Sequence, residues 1–68
     1  MNTGIVKRVE TSGGFGYIKS DDGTEYYFHR AGVEPPLTFD NLFGGERVSF
    51  EIETNSGSQR AVEVTQYA

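Results

Sequence analysis

Gly13-Gly14-Phe15-Gly16-Tyr17-Ile18-Lys19-Ser20-Asp21-Asp22-Gly23-Thr24-Glu25-Tyr26-Tyr27-Phe28-His29-Arg30 decides how this chain folds, and it holds five of the nine aromatic residues. It reads as two short strands joined by a tight turn. Successive side chains of a strand point to opposite faces. In the first arm Phe15, Tyr17 and Lys19 share one face, and Gly16 and Ile18 share the other. In the second arm Tyr27 and His29 fall together, opposite Tyr26 and Phe28. Between the arms, Ser20-Asp21-Asp22-Gly23 contains an Asp-Gly pair that supplies a positive φ at little steric cost, so a hairpin is the natural reading. One face of that hairpin is apolar, made of Ile18, Tyr26 and Phe28. The other displays Phe15, Tyr17, Tyr27 and His29 beside Lys19: flat rings with a cation among them, a surface on which unpaired bases can stack. Against this stands the ordinary fate of strand aromatics, which is burial, and the ordinary use of Gly-Phe-Gly in a turn. A sheet in a chain of 68 residues, however, cannot bury both of its faces.

Outward from the hairpin, Thr3 to Val9 is a strand in which Ile5 and Val6 are adjacent. Strict alternation does not decide its buried face, and a curled or bulged strand is expected. After His29, Arg30-Ala31-Gly32-Val33 is expected to form one helical turn, which Pro35-Pro36 prevents from continuing. Leu37 to Gly45 is then a loop, with Leu42 anchoring it to the core. Phe39, between Thr38 and Asp40, is expected free to reach over the aromatic face. Arg47 to Thr54 alternates clearly: Val48, Phe50 and Ile52 inward, Ser49, Glu51 and Glu53 on a wet acidic face. Asn55-Ser56-Gly57-Ser58 makes a turn, and Gln59 to Gln66 a last strand with Val62 and Val64 inward. Five strands, no helix of useful length and no internal repeat predict an all-β fold, a small closed or nearly closed antiparallel barrel. Closure removes the exposed edges that invite aggregation.

Two stretches also carry a family likeness. GGFGYI resembles the first ribonucleoprotein motif of the cold-shock domain family, Lys-Gly-Phe-Gly-(Phe/Tyr)-(Ile/Val), without its leading Lys. YYFHR resembles the second, Val-Phe-Val-His-Phe, keeping an aromatic and the His at the right spacing. The likeness runs on through GIVK and GERVSFEIE, so it covers nearly all of the chain. It implies a five-stranded antiparallel Greek-key β-barrel of the OB-fold type. It also implies binding of single-stranded RNA and single-stranded DNA with weak sequence preference, for pyrimidine-rich strands, and the role of an RNA chaperone or cold-shock-type regulator. Phe15, Tyr17, Tyr27, His29 and Phe39 match positions whose rings stack bases in that family, and Lys7 matches a cation used toward the backbone. Four positions depart from the pattern. Arg8 stands where the family has Trp, Val9 where a Phe follows it, Arg30 where the second motif closes on Phe, and Gly13 where Lys precedes Gly-Phe-Gly. Arg can lie flat on a base or contact a phosphate, so Arg8 and Arg30 are kept among the candidate binding residues. Binding that leans less on stacking is one consequence; a binding surface in decay is the other reading.

Composition sets the outer limits. A chain of 68 residues has room for one domain, expected to occupy 1–68. There is no Cys and a single His, which disfavours disulfides, thiolate metal sites and a structural zinc, so neither a metal nor a cofactor is expected. The start MNTGIVKRVE has no apolar h-region and no apolar run approaches a span, so a cytoplasmic protein without membrane contact, and a monomer, is expected. The net charge of −4 is unfavourable for a polyanionic partner, but its distribution matters. Lys7, Arg8, Lys19 and Arg30 balance Glu10, Asp21, Asp22 and Glu25 in residues 1–30, whereas Arg47 and Arg60 face Glu34, Asp40, Glu46, Glu51, Glu53 and Glu63 in the remainder. All the excess acid therefore lies outside the segment with the aromatic face, where screening over about 8 Å weakens its reach. A small barrel gripping a protein or peptide with its exposed rings is the alternative function. An enzyme is not expected: His29 has no carboxylate partner by spacing, and no catalytic residue is assigned.

Overall fold

The computed structural model describes residues 2–67. Strands β1 (Asn2–Glu10), β2 (Phe15–Ser20), β3 (Glu25–His29), β4 (Arg47–Asn55) and β5 (Ser58–Gln66) close into a barrel in the order β1-β2-β3-β5-β4. All neighbours are antiparallel except β3 and β5, which run parallel over Tyr27↔Arg60 and Phe28↔Ala61. Two short 3-10 turns, Arg30–Gly32 and Phe39–Asn41, lie in the long connection between β3 and β4. This is the all-β, five-stranded OB-type barrel that the sequence predicts.

The apolar side of the hairpin faces inward as its alternation requires. Ile18, Tyr26 and Phe28 join Val6, Phe39, Leu42, Val48, Phe50, Ala61 and Val64 in the core. Gly16 is the residue that makes this packing fit. A β-carbon there would lie 2.5 Å from the Arg8 carbonyl oxygen and 2.8 Å from the Phe28 ring, so the ring occupies the space a side chain would need. Gly14 turns the chain into β2 with φ +73°, a left-handed conformation that glycine adopts without penalty.

Three departures from strict alternation shape the barrel. In β1 the register with β2 shifts between Val6 and Arg8, leaving Lys7 as the extra residue of a bulge. The bulge sends Lys7 and Arg8 both to solvent, as consecutive residues of a regular strand could not be. In β4 the pairing with β5 shifts between Ser49 and Glu51. Ser49, expected on the wet face, is consequently buried between Val48 and Phe50. In β5 Glu63 takes φ +51°, so the inward residues are Ala61 and Val64. Val62, expected inward, is half-buried. Barrel closure bends strands this small sharply, and bulges are where the bend is taken up.

Candidate nucleic-acid interface

On the outer face of β2 and β3, three rings meet. Phe15 and Tyr27 stack at 5.7 Å between centroids with planes 25° apart. Tyr17 stands edge-on to both, 6.0 Å from Phe15 and 6.2 Å from Tyr27. The strand register explains the grouping: Tyr17 pairs directly with Tyr27, and Phe15 with His29. All three rings are half-buried, leaning on one another with surface left over, while their neighbours Gly16, Ile18, Tyr26 and Phe28 are buried.

His29 is exposed at the end of β3. Its Nδ1 accepts a hydrogen bond from the Ala31 N–H at 3.1 Å, capping the first 3-10 turn and fixing the ring. With Nδ1 accepting, the neutral imidazole carries its proton on Nε2, a donor available to a base edge or phosphate. Arg30 follows. Its side chain runs beside Gly14, and its guanidinium carbon lies 5.8 Å from the Phe39 ring centroid. On the opposite flank Arg8 is held over Tyr17, 5.7 Å from the ring centroid, and its Nε pairs with Glu10 at 2.8 Å. Lys7 Nζ pairs with Glu25 at 2.6 Å. That hydrogen bond, with the charge behind it, holds the Glu25 carboxyl below its usual range.

Phe39 requires a correction. The sequence leaves it free to reach over the rings, but only 6% of its surface is exposed. The second 3-10 turn tucks it into the core edge-on to Phe28, with centroids 6.3 Å apart. A ring packed there belongs to the core and not to the exposed cluster. The remaining candidates, Lys7, Arg8, Phe15, Tyr17, Tyr27, His29 and Arg30, do come together on one side of the barrel. The same connection leaves a different ring, Phe43, 85% exposed. The available sequence signal was that the connection holds more large apolar residues, Leu37, Phe39, Leu42 and Phe43, than one short loop packs into a core.

Two depressions flank the ring cluster. One, of about 310 Å³, is lined by Lys7, Arg8, Tyr17 and Glu25. The other, of about 320 Å³, opens where β5 diverges from β3, between His29, Arg60 and three carboxylates, Glu34, Glu53 and Glu63. Arg60 there is paired with Glu53 at 2.8 Å. The β1 side of the cluster is thus the more cationic one. Among the described residues, Lys19 and Arg30 are the basic side chains without a carboxylate partner. No group of described residues has the ligand set of a metal site, and no described helix is long and apolar enough to cross a membrane.

Comparison with known proteins gives the same family as the motifs. The model of the 'Cold-shock' DNA-binding domain matches residues 2–67. Cold shock protein CspA of Rhizobium meliloti (strain 1021) is 38% identical over 64 residues, covering 90% of this chain and 91% of that protein. Glycine-rich protein 2 of Nicotiana sylvestris is 42% identical over 64 residues, which are 91% of this chain but 29% of that protein. The major cold shock protein of Streptococcus pyogenes serotype M6 is 29% identical over the full length of both chains. The chain belongs to the cold-shock domain family, a nucleic-acid-binding family.

Proposed function

We propose that this cold-shock domain binds single-stranded RNA and single-stranded DNA on the face built by Phe15, Tyr17 and Tyr27, and that it serves as an RNA chaperone holding strands open. The observation that carries this reading is the ring cluster itself: three aromatic side chains within 6.2 Å of one another, half-exposed on the outside of a barrel whose core is already filled. Unpaired bases stack on such rings for about 1–3 kcal/mol each, with little regard to base identity. Duplex bases are already stacked on one another and gain nothing there. His29 and Arg30 border the face at one end, and Lys7 and Arg8 border it at the β1 side, where they meet the phosphates. Binding needs no metal, no cofactor and no catalytic group, and residues 1–68 act as one monomeric unit.

Titration with a short oligothymidine, followed by tyrosine emission, tests the reading against the matching duplex. The single strand should bind more tightly than the duplex, for DNA and RNA alike. Equal affinity for both would mean that phosphate attraction alone is at work. No binding of either at low salt would move the function to a protein- or peptide-binding barrel.

A further inference from the structure

The ladder between β1 and β4 does not stop where the strand ends. Gly45 N–H donates to the Val6 carbonyl at 2.6 Å, and Val6 N–H donates to the Glu46 carbonyl at 2.9 Å. These bonds hold the segment before β4 against the edge of β1, beside the bulge that carries Lys7. A β-carbon on Gly44 would lie 3.5 Å from the Lys7 carbonyl oxygen. The Glu46 carboxylate fastens the segment further, accepting from the Phe43 N–H at 2.7 Å and the Gly44 N–H at 2.8 Å. Phe43 is therefore an exposed ring on a fixed backbone. A singly exposed apolar residue is ordinary on a protein surface. This one differs in being anchored by four hydrogen bonds next to the cationic flank of the ring cluster. Beside it, a β-carbon on Gly45 would meet open space, so no side chain stands between the loop and solvent there.

We propose that Phe43 forms an additional nucleotide subsite, stacking one base on the far side of β1 from Tyr17 while Lys7 meets a neighbouring phosphate. The inference rests on the single-strand reading above and extends it. Neighbouring strands lie about 4.8 Å apart, so the loop sits roughly 10 Å from β2, across β1. A strand crossing from the ring cluster over Lys7 and Arg8 reaches Phe43 next. The backbone is held before any ligand arrives, so stacking there orders little of the protein. Phe39 contributes no ring to this side, being buried, and Phe43 is the aromatic that the same connection presents to solvent.

The test uses the full chain and oligothymidines of increasing length, spanning the ~4–16 nucleotides that one OB-type barrel covers. Phe43→Ala keeps the main-chain N–H that Glu46 accepts, so the loop stays in place. It should bind the shortest strands as the native chain does, and lose roughly 5-fold or more on strands long enough to reach the loop. Phe43→Trp introduces the sole Trp of the chain, and its emission should change with long strands and stay constant with the shortest. Native affinity at every length in Phe43→Ala, or an equal loss at every length, would overturn the subsite. So would Trp emission that follows protein concentration without nucleic acid, which would make the ring a self-association contact. A native chain that binds no strand of any length would instead bring down the single-strand reading, and the subsite with it.

Discussion

Phe15→Ala separates the two faces of the hairpin. Phe15 is half-buried, stacked on Tyr27 and edge-on to Tyr17, so its removal takes away one base-stacking surface and two ring contacts. The lost base stack amounts to about 1–3 kcal/mol, or roughly 5- to 150-fold in Kd. The lost ring pairs cost the fold about 0.5–1.5 kcal/mol each. A domain at ~0.05–0.15 kcal/mol per residue has on the order of 3–10 kcal/mol in all, so the variant stays folded unless it lies at the bottom of that range. Phe28→Ala, immediately before His29 but on the inner face, removes a ring with no exposed surface and opens a cavity beneath Gly16. Its cost, about 3–5 kcal/mol, is comparable with the whole stability. Thermal unfolding measures the second effect and tyrosine emission on titration with oligothymidine the first. Phe15→Ala suits that readout because it leaves all four tyrosines in place. If Phe15→Ala unfolds while Phe28→Ala stays folded and fails to bind, the faces are inverted. A folded Phe15→Ala of native affinity would mean that this ring carries no base.

Glu25→Gln releases Lys7 from its carboxylate, so single-strand binding should tighten, and the slope of log K against log salt should steepen by about 0.7 if Lys7 then meets a phosphate; an unchanged slope would remove Lys7 from the interface. Arg8→Trp with Arg30→Phe should tighten binding and flatten its salt dependence, whereas unchanged affinity would mean that neither position touches the strand. For acid stability, burial raises the Glu46 carboxyl, but the N–H groups of Phe43, Glu46 and Gly44 outweigh it and leave the folded pKa depressed. A depressed folded pKa gives stability that is present above the ordinary carboxylate range and lost as pH falls through the folded value. Thermal midpoints below about pH 4.5 should therefore fall less steeply in Glu46→Gln than in the native chain.

Where one face of a strand is buried and the other wet, period two is enough to assign every side chain, and β2 and β3 were legible for that reason. Ile18, Tyr26 and Phe28 went inward and Phe15, Tyr17 and Tyr27 outward because a one-residue slip would have exposed the entire apolar set. Ser49 and Val62 were not legible, since a bulge in β4 and the positive φ of Glu63 reset the period locally. Phe39 and Phe43 fell outside any period at all. Both lie in the connection between β3 and β4, where a single 3-10 turn decides which ring enters the core. Two phenylalanines four residues apart offer the same apolar surface to that choice. The turn buries Phe39 together with Leu42 and leaves Phe43 outside.

Charge was countable in the sequence, but its pairing was not, and the pairing changes how the proposed face would hold a strand. Residues 1–30 balance to zero, and the structure spends much of that balance locally: Lys7 on Glu25, Arg8 on Glu10. These pairs are exposed and worth about 0–1 kcal/mol apiece, so a phosphate can displace the carboxylate, at the cost of breaking the pair. Replacing ring positions by Arg8 and Arg30 suggested binding that leans less on stacking. Yet Arg8 is committed to Glu10 and to the Tyr17 ring, and Arg30 lies over Phe39. Arg8 reaches a phosphate only by giving up Glu10, whereas Arg30, without a carboxylate partner among the described residues, keeps its donors free. Arg8, already seated on Tyr17, widens the flat surface of that ring more than it adds net positive charge. Stacking on Phe15, Tyr17 and Tyr27 would then remain the main attraction even though two rings of the family pattern are missing, and the salt dependence of binding would be shallow for a domain with six basic residues.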